Sequence, residues 1–522
     1  MFHRRFFLKS GALATVAASL KPGSSQAFVP AHLWDKYDFG SGPFVKDRLN
    51  QGPFPQYPPE EVVPGSSVVM ATTPTKEIVP GFGKGLITYI AGDLLAPKVP
   101  GETLEQTIEK LVQIPMGQKL YIRLTWRELQ KQRGKLEMPD YWKLTLDLAK
   151  KYNKRVAFRV FLSNPDIPDP ALPDFVLEKV PMVKLEGTWM GDPKSVRHQK
   201  VHQEPRYDHP FFQEAFREFD GLMAAEYNGH PLIEFMDTIM YGFWGEGHTW
   251  PYQNTPFPDS TTATRTWMSM LETQIGHWTR TPLVTNTQPD YSLVGNSDLL
   301  DRTIRSHNWL RTDTIFIENE QIEALSNRPP WIAAVCEVGM SDGTPTSLRI
   351  EEGVPHTENI IAHVMDVGAN YWSLWNWHKI NADNIMRYYR QYPEGIDTIA
   401  RAIGYKVRPS FIWAYSKDGH NGIIVGVVND GIAGAPGVLR LTLESPEGKA
   451  LVSGCLDPGY PIPHQVRQGQ MILPPGVPWK GLKLKAELEV KGVCYPVPWA
   501  CRQKLNSDGS LTLRAMKGFA ED

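Results

Sequence analysis

The segment Tyr241–Trp250 holds the residues of this chain that are best suited to chemistry. Its letters, YGFWGEGHTW, surround the carboxyl of Glu246 with glycines, with Trp244 and with His248. Glycine lets the backbone turn sharply and approach a ligand, and neighbouring indoles can exclude water from a carboxyl and raise its pKa. A carboxyl with a raised pKa can donate a proton at neutral pH. The segment therefore predicts a general acid at Glu246, in preference to a glutamate that only holds the loop.

A second carboxyl is needed if Glu246 serves in the hydrolysis of a glycosidic bond. One carboxyl protonates the leaving oxygen, and the other attacks the anomeric carbon or activates water. Glu337 follows the small apolar residues of Ala334–Cys336, and this position favours it as the partner. Glu318, in the segment IFIENE, is the main competitor.

Aromatic and polar residues elsewhere would suit a sugar-binding cleft. The chain has 16 tryptophans, and indoles can stack on sugar rings while their N–H groups bond to polar partners. Trp126 is predicted to form one wall and Trp375, Asn376 and Trp377 a platform, although tryptophans of the protein core are the alternative. Further side chains are expected to bind substrate hydroxyls, namely Arg159, Asn164, Asn286 and Gln288.

His198, His202 and His209 could be mistaken for metal ligands, since the first two would share a face of a helix. They lie among Lys, Arg and Pro residues, and the chain has no His-Glu-x-x-His motif. A solvated loop is favoured over a metal site, and we expect neither a metal nor another cofactor.

Eight short β-type runs alternate with helical segments beyond Pro80, which is typical of parallel β/α units. The helical segments include residues 141–151, 209–227 and 261–278. Eight such units predict a (β/α)₈ barrel. The runs cover residues 85–90, 119–124, 155–161, 237–242, 282–286, 314–317, 331–336 and 369–374.

The positions of these runs give the candidate residues a common location. Catalytic groups of such barrels lie at the C-terminal ends of the strands and in the loops that follow. Glu246 and Glu337 each come after a predicted strand, and so they are expected at one mouth of the barrel.

Four regions are predicted along the chain. Residues 1–27 resemble a signal peptide, residues 28–80 form an extended lead-in, residues 81–408 form the barrel, and residues 409–522 form a small all-β sandwich. The last assignment rests on alternating strands separated by Gly, Pro and Asn, at residues 421–429, 437–443, 482–490 and 510–514.

The amino terminus carries features of an export signal. Arg4 and Arg5 precede the apolar run Gly11–Leu20 and the small-residue pattern Ser25–Ala27, as in a twin-arginine signal. The run is shorter than the roughly 20 residues that span a bilayer. We expect export through the twin-arginine machinery, a mature protein that begins near Phe28 without a membrane span, and a periplasmic or secreted location.

The charge and the cysteines give weaker indications. A net charge of −2 offers no electrostatic reason for a nucleic-acid partner. None of the four cysteines forms a Cys-x-x-Cys pair, so zinc or redox chemistry has little support. A disulfide among Cys455, Cys494 and Cys501 is left open for an exported protein.

These motifs resemble the barrel proteins of the glycoside-hydrolase superfamily, in particular the β-galactosidase-like and related uncharacterised branches. The resemblance covers residues 80–405 and is carried by Tyr207–Pro210, Tyr227–Pro231 and Met240–Glu246, with Trp126 and Gly134–Glu137 on the second unit. In the large clan of retaining barrel glycosidases an Asn precedes the acid/base Glu and binds the 2-hydroxyl of the sugar. Here Gly245 stands in that place, so Asn286 or Asn376 would have to do so.

The resemblance implies an oligosaccharide or polysaccharide substrate and a glycosidase, with a retaining mechanism favoured. Glu246 would be the acid/base and Glu337 the nucleophile. The alternatives are a sugar-binding barrel without catalysis and, third, a metal-dependent hydrolase.

Overall fold

Eight parallel strands close into a barrel in the order in which they occur along the chain. The computed structural model describes residues 67–91, 99–189, 193–287, 296–314, 324–337, 340–341, 344–345, 356–373, 381–417 and 419–516. With strands numbered along the chain, the barrel consists of β2, β3, β4, β7, β8, β9, β10 and β13. The strands are β1 (Ser67–Ala71), β2 (Gly85–Ala91), β3 (Lys119–Thr125), β4 (Arg155–Phe161), β5 (Met182–Lys184), β6 (Gln203–Pro205), β7 (Ile233–Asp237), β8 (Leu283–Asn286), β9 (Trp309–Thr314), β10 (Ala334–Glu337), β11 (Met340–Ser341), β12 (Thr344–Pro345), β13 (Tyr371–Ser373), β14 (Val407–Lys417), β15 (His420–Asn429), β16 (Val438–Glu444), β17 (Ala450–Cys455), β18 (Val466–Ile472), β19 (Lys483–Val490), β20 (Val493–Pro496) and β21 (Leu511–Thr512).

Helices surround the barrel because each carries an apolar face that must be buried. Their bounds are α1 (Leu104–Val112), α2 (Trp126–Leu129), α3 (Asp140–Lys151), α4 (Asp174–Leu177), α5 (Val196–Gln199), α6 (Pro210–Tyr227), α7 (Ser260–His277), α8 (Asn296–Arg305), α9 (His356–Asp366), α10 (Ala382–Gln391) and α11 (Pro393–Ala402).

Helix α6 shows how the sequence specifies such an element. Pro210 occupies its first turn, where a missing N–H costs nothing, and the ring of His209 accepts the N–H of Phe211. Phe212, Phe216 and Phe219 recur at spacings of three and four residues and are buried. This stripe attaches the helix to the barrel.

The barrel and the separate antiparallel sheets confirm the predicted fold class of a (β/α)₈ barrel with a C-terminal β-sandwich. The helix predictions near α3, α6 and α7 agree with the structure to within one or two residues. One strand prediction is wrong in position, because the fourth barrel strand is Ile233–Asp237 and not residues 237–242. The sixth barrel strand is Trp309–Thr314 and begins five residues before the predicted run at residues 314–317, of which residues 315–317 lie outside the described part of the chain.

The error at the fourth strand has a physical reason. Residues 239–243 are apolar and buried, as strand residues would be, but Gly242 has φ 74° and the segment turns back on itself. Apolar content alone does not separate a buried strand from a buried loop.

The C-terminal region consists of two antiparallel sheets. One has the order β1-β14-β15-β18, and the other has the order β17-β16-β19-β20 with β21 paired to β19. Ile423 and Val425 of β15 and Leu439 and Leu441 of β16 belong to one buried cluster, so the sheets pack as a sandwich. Strand β1 comes from the predicted lead-in, of which residues 28–66 lie outside the described residues.

The sandwich lies against the N-terminal end of the barrel strands, away from the mouth. Phe82, just before β2, stacks on Tyr495 of β20, and Lys491 donates to Asn308, just before β9, at 2.8 Å. The mouth at the opposite end is therefore left to the loops that follow the strands.

All four cysteines are free, so none of Cys455, Cys494 and Cys501 is joined in a disulfide. Among the residues that the structure describes, no helix combines the length and apolarity that crossing a bilayer requires. The predicted signal segment, residues 1–27, lies outside the described residues.

Candidate active site

Glu246 lies in a tight loop after β7 rather than at the end of a strand. Gly242, Trp244, Gly245 and Gly247 all have positive φ, between 51° and 83°. A Cβ at Gly242 would lie 2.0 Å from the carbonyl oxygen of His248, so only glycine fits there. Trp244, which is not glycine, adopts the left-handed region at φ 51° and stores backbone strain at this site.

The loop is tied to the barrel by hydrogen bonds at its start. Gly242 N donates to the hydroxyl of Tyr207 at 3.0 Å, and Trp244 N donates to the carbonyl of Ser163 at 3.1 Å. These bonds place the carboxyl of Glu246 over the end of β4. The loop is therefore a rigid support for that group.

The carboxyl of Glu246 is almost fully buried and contacts two basic side chains. Arg159 of β4 donates from Nη1 to Oε1 at 3.0 Å, and Nε2 of His248 lies 3.3 Å from Oε2. The amide of Asn286, at the end of β8, donates to the main-chain carbonyl of Glu246 at 3.4 Å. Glu246, His248, Arg159 and Asn286 thus lie next to one another, while their predicted roles toward a substrate stay predictions.

Burial alone would raise the pKa of Glu246, but the hydrogen bond with His248 and the charge of Arg159 outweigh it and lower the pKa to about 2. The predicted raised pKa is therefore wrong. The tryptophans do exclude water, but Arg159, on a strand 87 residues earlier in the chain, stabilises the ionised form. The contacts with Arg159 and His248 therefore favour the ionised form of Glu246 over the protonated acid.

Glu337, at the end of β10, is also buried and paired with arginines. Nη2 of Arg123 on β3 donates to its Oε1 at 2.7 Å, and Arg311 of β9 contacts the same carboxyl. Two arginines from different strands therefore hold the carboxyl of Glu337 in place.

Asp237 joins these two carboxylates into one network. It accepts from Nε of Arg159 at 2.8 Å, from the hydroxyl of Tyr121 at 2.5 Å and from Arg311. Burial raises its pKa, but Arg311 and Arg159 lower it further, and the net shift is downward. We call these six residues the charged layer: Arg123, Arg159, Asp237, Glu246, Arg311 and Glu337.

Aromatic rings border the charged layer on the side of Glu246. Trp244 is half-buried and its indole N–H donates to Asp166 at 2.7 Å, while Trp189 packs against its ring edge. Trp250 is 43% exposed and also contacts Trp189. Arg197 lies over the rings of Trp189 and Trp244. Together these residues form an aromatic wall beside the carboxylate.

Two predicted polar residues, Arg159 and Asn164, form hydrogen bonds within the protein. Arg159 directs its guanidinium to Asp237, Glu246 and the carbonyl of Trp244, so it is a counter-ion rather than a reader of sugar hydroxyls. Asn164 is buried just after β4 and its Oδ1 accepts the N–H of Asp166. Its Nδ2 has no hydrogen-bond partner among the described residues and remains a candidate donor to a ligand.

The prediction that Trp126 forms a wall of the site is wrong. Its ring is fully buried between helices, stacks on Phe219 and lies edge-on to Phe212 and Phe216, and its N–H bonds to Gln130. The residue follows β3 at once, but it begins helix α2 and points outward to α6. It stabilises the helical layer.

Several predicted site residues lie outside the described residues, and their roles stay predictions. These are Gln288, Glu318, Trp375, Asn376 and Trp377.

Glu204 of β6 was missed by the sequence reasoning. It is completely buried, accepts from Ser163 and from the hydroxyl of Tyr207 at 2.5 Å, and burial raises its pKa to about 7. Nothing local in its segment, VHQEPRY, marks it. Arg311 and Asp237 were missed too, although a charge inside an otherwise buried β-run was a usable signal.

The histidines of the long third loop bond to main-chain groups. His198 contacts the carbonyl of Trp189 and His202 contacts that of Arg197, while the ring of His209 caps the first turn of α6. In the part of the chain that the structure describes, no cluster of three or more His, Cys, Asp or Glu side chains suits a metal ion.

Known proteins resemble the chain in structure but not in sequence. No protein-family profile matches the chain, and no curated protein shows significant sequence similarity to it. Solved structures are similar at low identity. The cold-adapted β-galactosidase of Rahnella sp. R3 aligns with 65% of this chain at 12% identity and a TM-score of 0.38, and the chain covers 59% of its length.

Two smaller barrel proteins are covered almost completely. A glycoside hydrolase family 5 enzyme of Prevotella bryantii B14 aligns with 63% of this chain and 99% of its own, at 12% identity and a TM-score of 0.36. The D-allulose 3-epimerase of a Methylomonas species aligns with 60% of this chain and 99% of its own, at 12% identity and a TM-score of 0.32. Likeness at this level concerns the barrel fold alone.

Proposed function

We propose that this protein is a glycoside hydrolase with its active centre at the C-terminal mouth of the barrel, around Glu246. One observation carries the proposal. A buried carboxylate, held by Arg159 and His248, lies beside an aromatic wall that includes the exposed Trp250. Indoles suit the apolar faces of sugar rings, and a carboxylate suits the developing positive charge at an anomeric carbon.

The pKa of Glu246 changes the roles expected from the sequence. As an ionised group Glu246 would attack the anomeric carbon or activate water rather than donate a proton. Glu337, which the charged layer links to Glu246, remains the second proposed carboxylate and the alternative nucleophile. We keep a retaining route as the proposal, in which one carboxylate bonds to the sugar, the leaving oxygen takes up a proton, and water then releases the product.

The proton would come from a group whose pKa is closer to neutral. Glu204, with a pKa of about 7, contacts the half-buried hydroxyl of Ser163 at the end of β4. We propose that this pair supplies the proton through the serine hydroxyl, which Glu204 then reprotonates. Glu204→Gln should then slow hydrolysis most below pH 7, where the carboxyl of the unmodified chain is protonated, and should affect substrate affinity much less.

A sugar-binding barrel without catalysis is the second candidate. The observation that favours it is that Glu246 and Glu337 each accept hydrogen bonds from arginines, an arrangement that fits hydroxyl binding without proton transfer. Such a protein would bind saccharides and release no product over long incubation.

The test is a screen of aryl glycosides and neutral oligosaccharides, with the stereochemistry of the product followed by NMR. Glu246→Gln should lower kcat at least about 1000-fold, the order expected when a group essential to the reaction is lost. Glu226→Gln, on the exposed surface of α6, is the matched control and should leave turnover unchanged. Full activity of the Glu246 variant would refute the proposal, and saccharide binding without product would favour the second candidate.

Export is a separate proposal that rests on Arg4 and Arg5. We propose that the chain leaves the cytoplasm by the twin-arginine route and is cleaved near Ala27. The intact mass of the protein from a periplasmic extract should correspond to a chain that begins near Phe28. In the Arg4→Lys, Arg5→Lys double variant the precursor should accumulate in the cytoplasm. Equal processing of both proteins would refute this route.

A further inference from the structure

The outer face of the sheet β1-β14-β15-β18 carries a row of aromatic side chains. Phe411, Trp413 and Tyr415 occupy alternate positions of β14, so all three project from the same face. The intervening residues Ile412 and Ala414 are buried on the opposite face, toward the second sheet. The rings of Phe411 and Trp413 are 5.9 Å apart and tilted by 34°.

Glycines of the next strand let these rings lie flat. Gly422 of β15 pairs with Tyr415, and a Cβ at Gly422 would lie 2.3 Å from the phenol ring. A Cβ at Gly426 would touch the indole of Trp413 at 3.5 Å. Small residues under large rings let one ring face lie on the sheet. Trp413 keeps part of its ring exposed, whereas Tyr415 is only 6% exposed and forms the buried end of the row.

Polar groups border the aromatic row on β18. The registers Ile424↔Gln470 and Gly426↔Gln468 place both glutamines on the same face. Nε2 of Gln470 donates to the hydroxyl of Tyr415 at 2.7 Å, which leaves the amide oxygen of Gln470 directed away from that bond. The face therefore combines ring surfaces with amide donors and acceptors.

The exposure of this face calls for a partner. Phe411 is 42% exposed and Ile472 is 59% exposed, and Val68 of β1 adds to the same patch. Exposed apolar side chains that share one face of a sheet favour a binding site on that face. Val68, Phe411 and Ile472 are the exposed apolar positions here, while Tyr415 and Ile424 between them are buried.

The uncharged side chains on this part of the face indicate the class of partner. Between Phe411–Tyr415, Gly422–Gly426 and Gln468–Ile472, the described side chains on this face include no charged group. A nucleic acid or an acidic polysaccharide needs cations, which this part of the face lacks. Flat rings with amides and without charge match a neutral polymer that has apolar ring faces and many hydroxyls.

We propose that this face, centred on Phe411 and Trp413, is a binding site for a neutral polysaccharide. It is remote from the barrel mouth, because β14 belongs to the sandwich and the sandwich lies at the other end of the barrel. The site would hold the protein on a polymer. This proposal does not depend on catalytic activity of the barrel.

Affinity electrophoresis of the full chain in native gels tests the site. The gels contain a soluble β-glucan, galactan, mannan or xylan, with polygalacturonate as the acidic polymer. Retardation is expected in at least one neutral polymer and absent in polygalacturonate. Phe411→Ala and Trp413→Ala should each weaken the apparent affinity at least about tenfold, the effect of removing a central aromatic contact. Phe411 is exposed enough for its variant to fold, which circular dichroism checks.

Two control variants separate this site from the barrel mouth. Ile78→Ala removes a half-exposed apolar side chain elsewhere and should leave retardation unchanged. Trp250→Ala, at the mouth of the barrel, should also leave the retardation unchanged. Turnover of a small aryl glycoside should be the same for Phe411→Ala and the unmodified chain, so loss of the site and loss of activity are distinct results.

Three outcomes would overturn the proposal. The first is that no neutral polymer changes the mobility of the protein. The second is that Trp250→Ala abolishes the retardation whereas Phe411→Ala does not. The third is that the chain sediments as a dimer and that Phe411→Ala dissociates this dimer. The last result would assign the face to a second copy of the chain.

Discussion

Nη1 of Arg159 lies 3.0 Å from Oε1 of Glu246, and both side chains are buried at the mouth of the barrel. Arginine keeps its charge at any ordinary pH, so this contact holds the ionised state of the glutamate. The chemistry open to Glu246 therefore depends on a residue of another strand.

Replacing Arg159 by methionine should destabilise the protein by about 3–5 kcal/mol, because it leaves Asp237 and Glu246 buried without their shared cation. The loss should be largest near pH 7. Since the pKa of Glu246 lies below its ordinary value of 4.5, the stabilising contact exists above that value and weakens as the pH falls toward 2. Urea unfolding of both proteins between pH 3 and pH 7 measures the difference. Arg217→Met, on the exposed side of α6, should change the free energy of unfolding by less than about 0.5 kcal/mol. An equal loss at pH 3 and pH 7 would contradict this account.

Glu204→Gln should alter the pH dependence of stability in the opposite sense. The folded carboxyl has a pKa of about 7, above its ordinary 4.5, so the folded state binds the proton more tightly than the unfolded state. Stability is then full below pH 4.5 and falls as the pH rises through 7, by on the order of 3 kcal/mol. The glutamine variant should lack this decline. Unfolding free energies at pH 5, 6, 7 and 8 for both proteins provide the measurement, and parallel curves would exclude the shift.

Gly242→Ala should disrupt the loop that carries Glu246. The new methyl group would meet the carbonyl of His248 at 2.0 Å, and φ 74° is unfavourable for alanine. A loss of about 1–3 kcal/mol is expected, together with a fall in saccharide binding or turnover. Gly276→Ala in α7 is the contrasting change, since nothing lies within 4 Å of its Cβ, and it should stabilise the protein by about 0.5–1 kcal/mol. Thermal unfolding of the two variants should shift in opposite directions.

Replacing either of two tryptophans should affect different properties: Trp250 contributes to substrate binding and Trp126 to stability. Trp250→Ala removes an exposed ring of the aromatic wall and should raise KM with little change in the free energy of unfolding. Trp126→Ala removes a ring buried against α6 and should cost about 3–5 kcal/mol. If Trp126→Ala leaves stability intact and raises KM alone, our placement of that side chain is wrong.

The fold could be predicted well from the sequence, because the alternation of β-type runs and helical segments is visible in each short stretch of the chain. The run Arg155–Phe161 is both the predicted and the observed strand β4, and α6 follows directly from Pro210 and its phenylalanine stripe. Glu246 stood out because glycines and aromatics surround it within ten residues.

The rest of the site depends on contacts between distant segments. Arg159 and Glu246 are 87 positions apart, and Arg123 and Glu337 are 214 apart, so their pairing follows only from closure of the barrel. The direction of the Trp126 side chain could not be predicted either, because a single turn of helix after β3 directs its ring outward. Glu204 has no local mark, and only burial by Ser163 and Tyr207 raises its pKa.

The charged layer also constrains how the barrel can be divided. Arg123 on the second strand pairs with Glu337 on the seventh, and Arg311 on the sixth pairs with Asp237 on the fourth. A cut after α7, which ends the fourth β/α unit, would thus separate both pairs, although each fragment keeps equal numbers of these positive and negative groups. Neither fragment should persist as a folded half, and the two should assemble with each other when co-expressed. Co-purification of the fragments, lost in Arg123→Met, would show that these ion pairs hold the halves together.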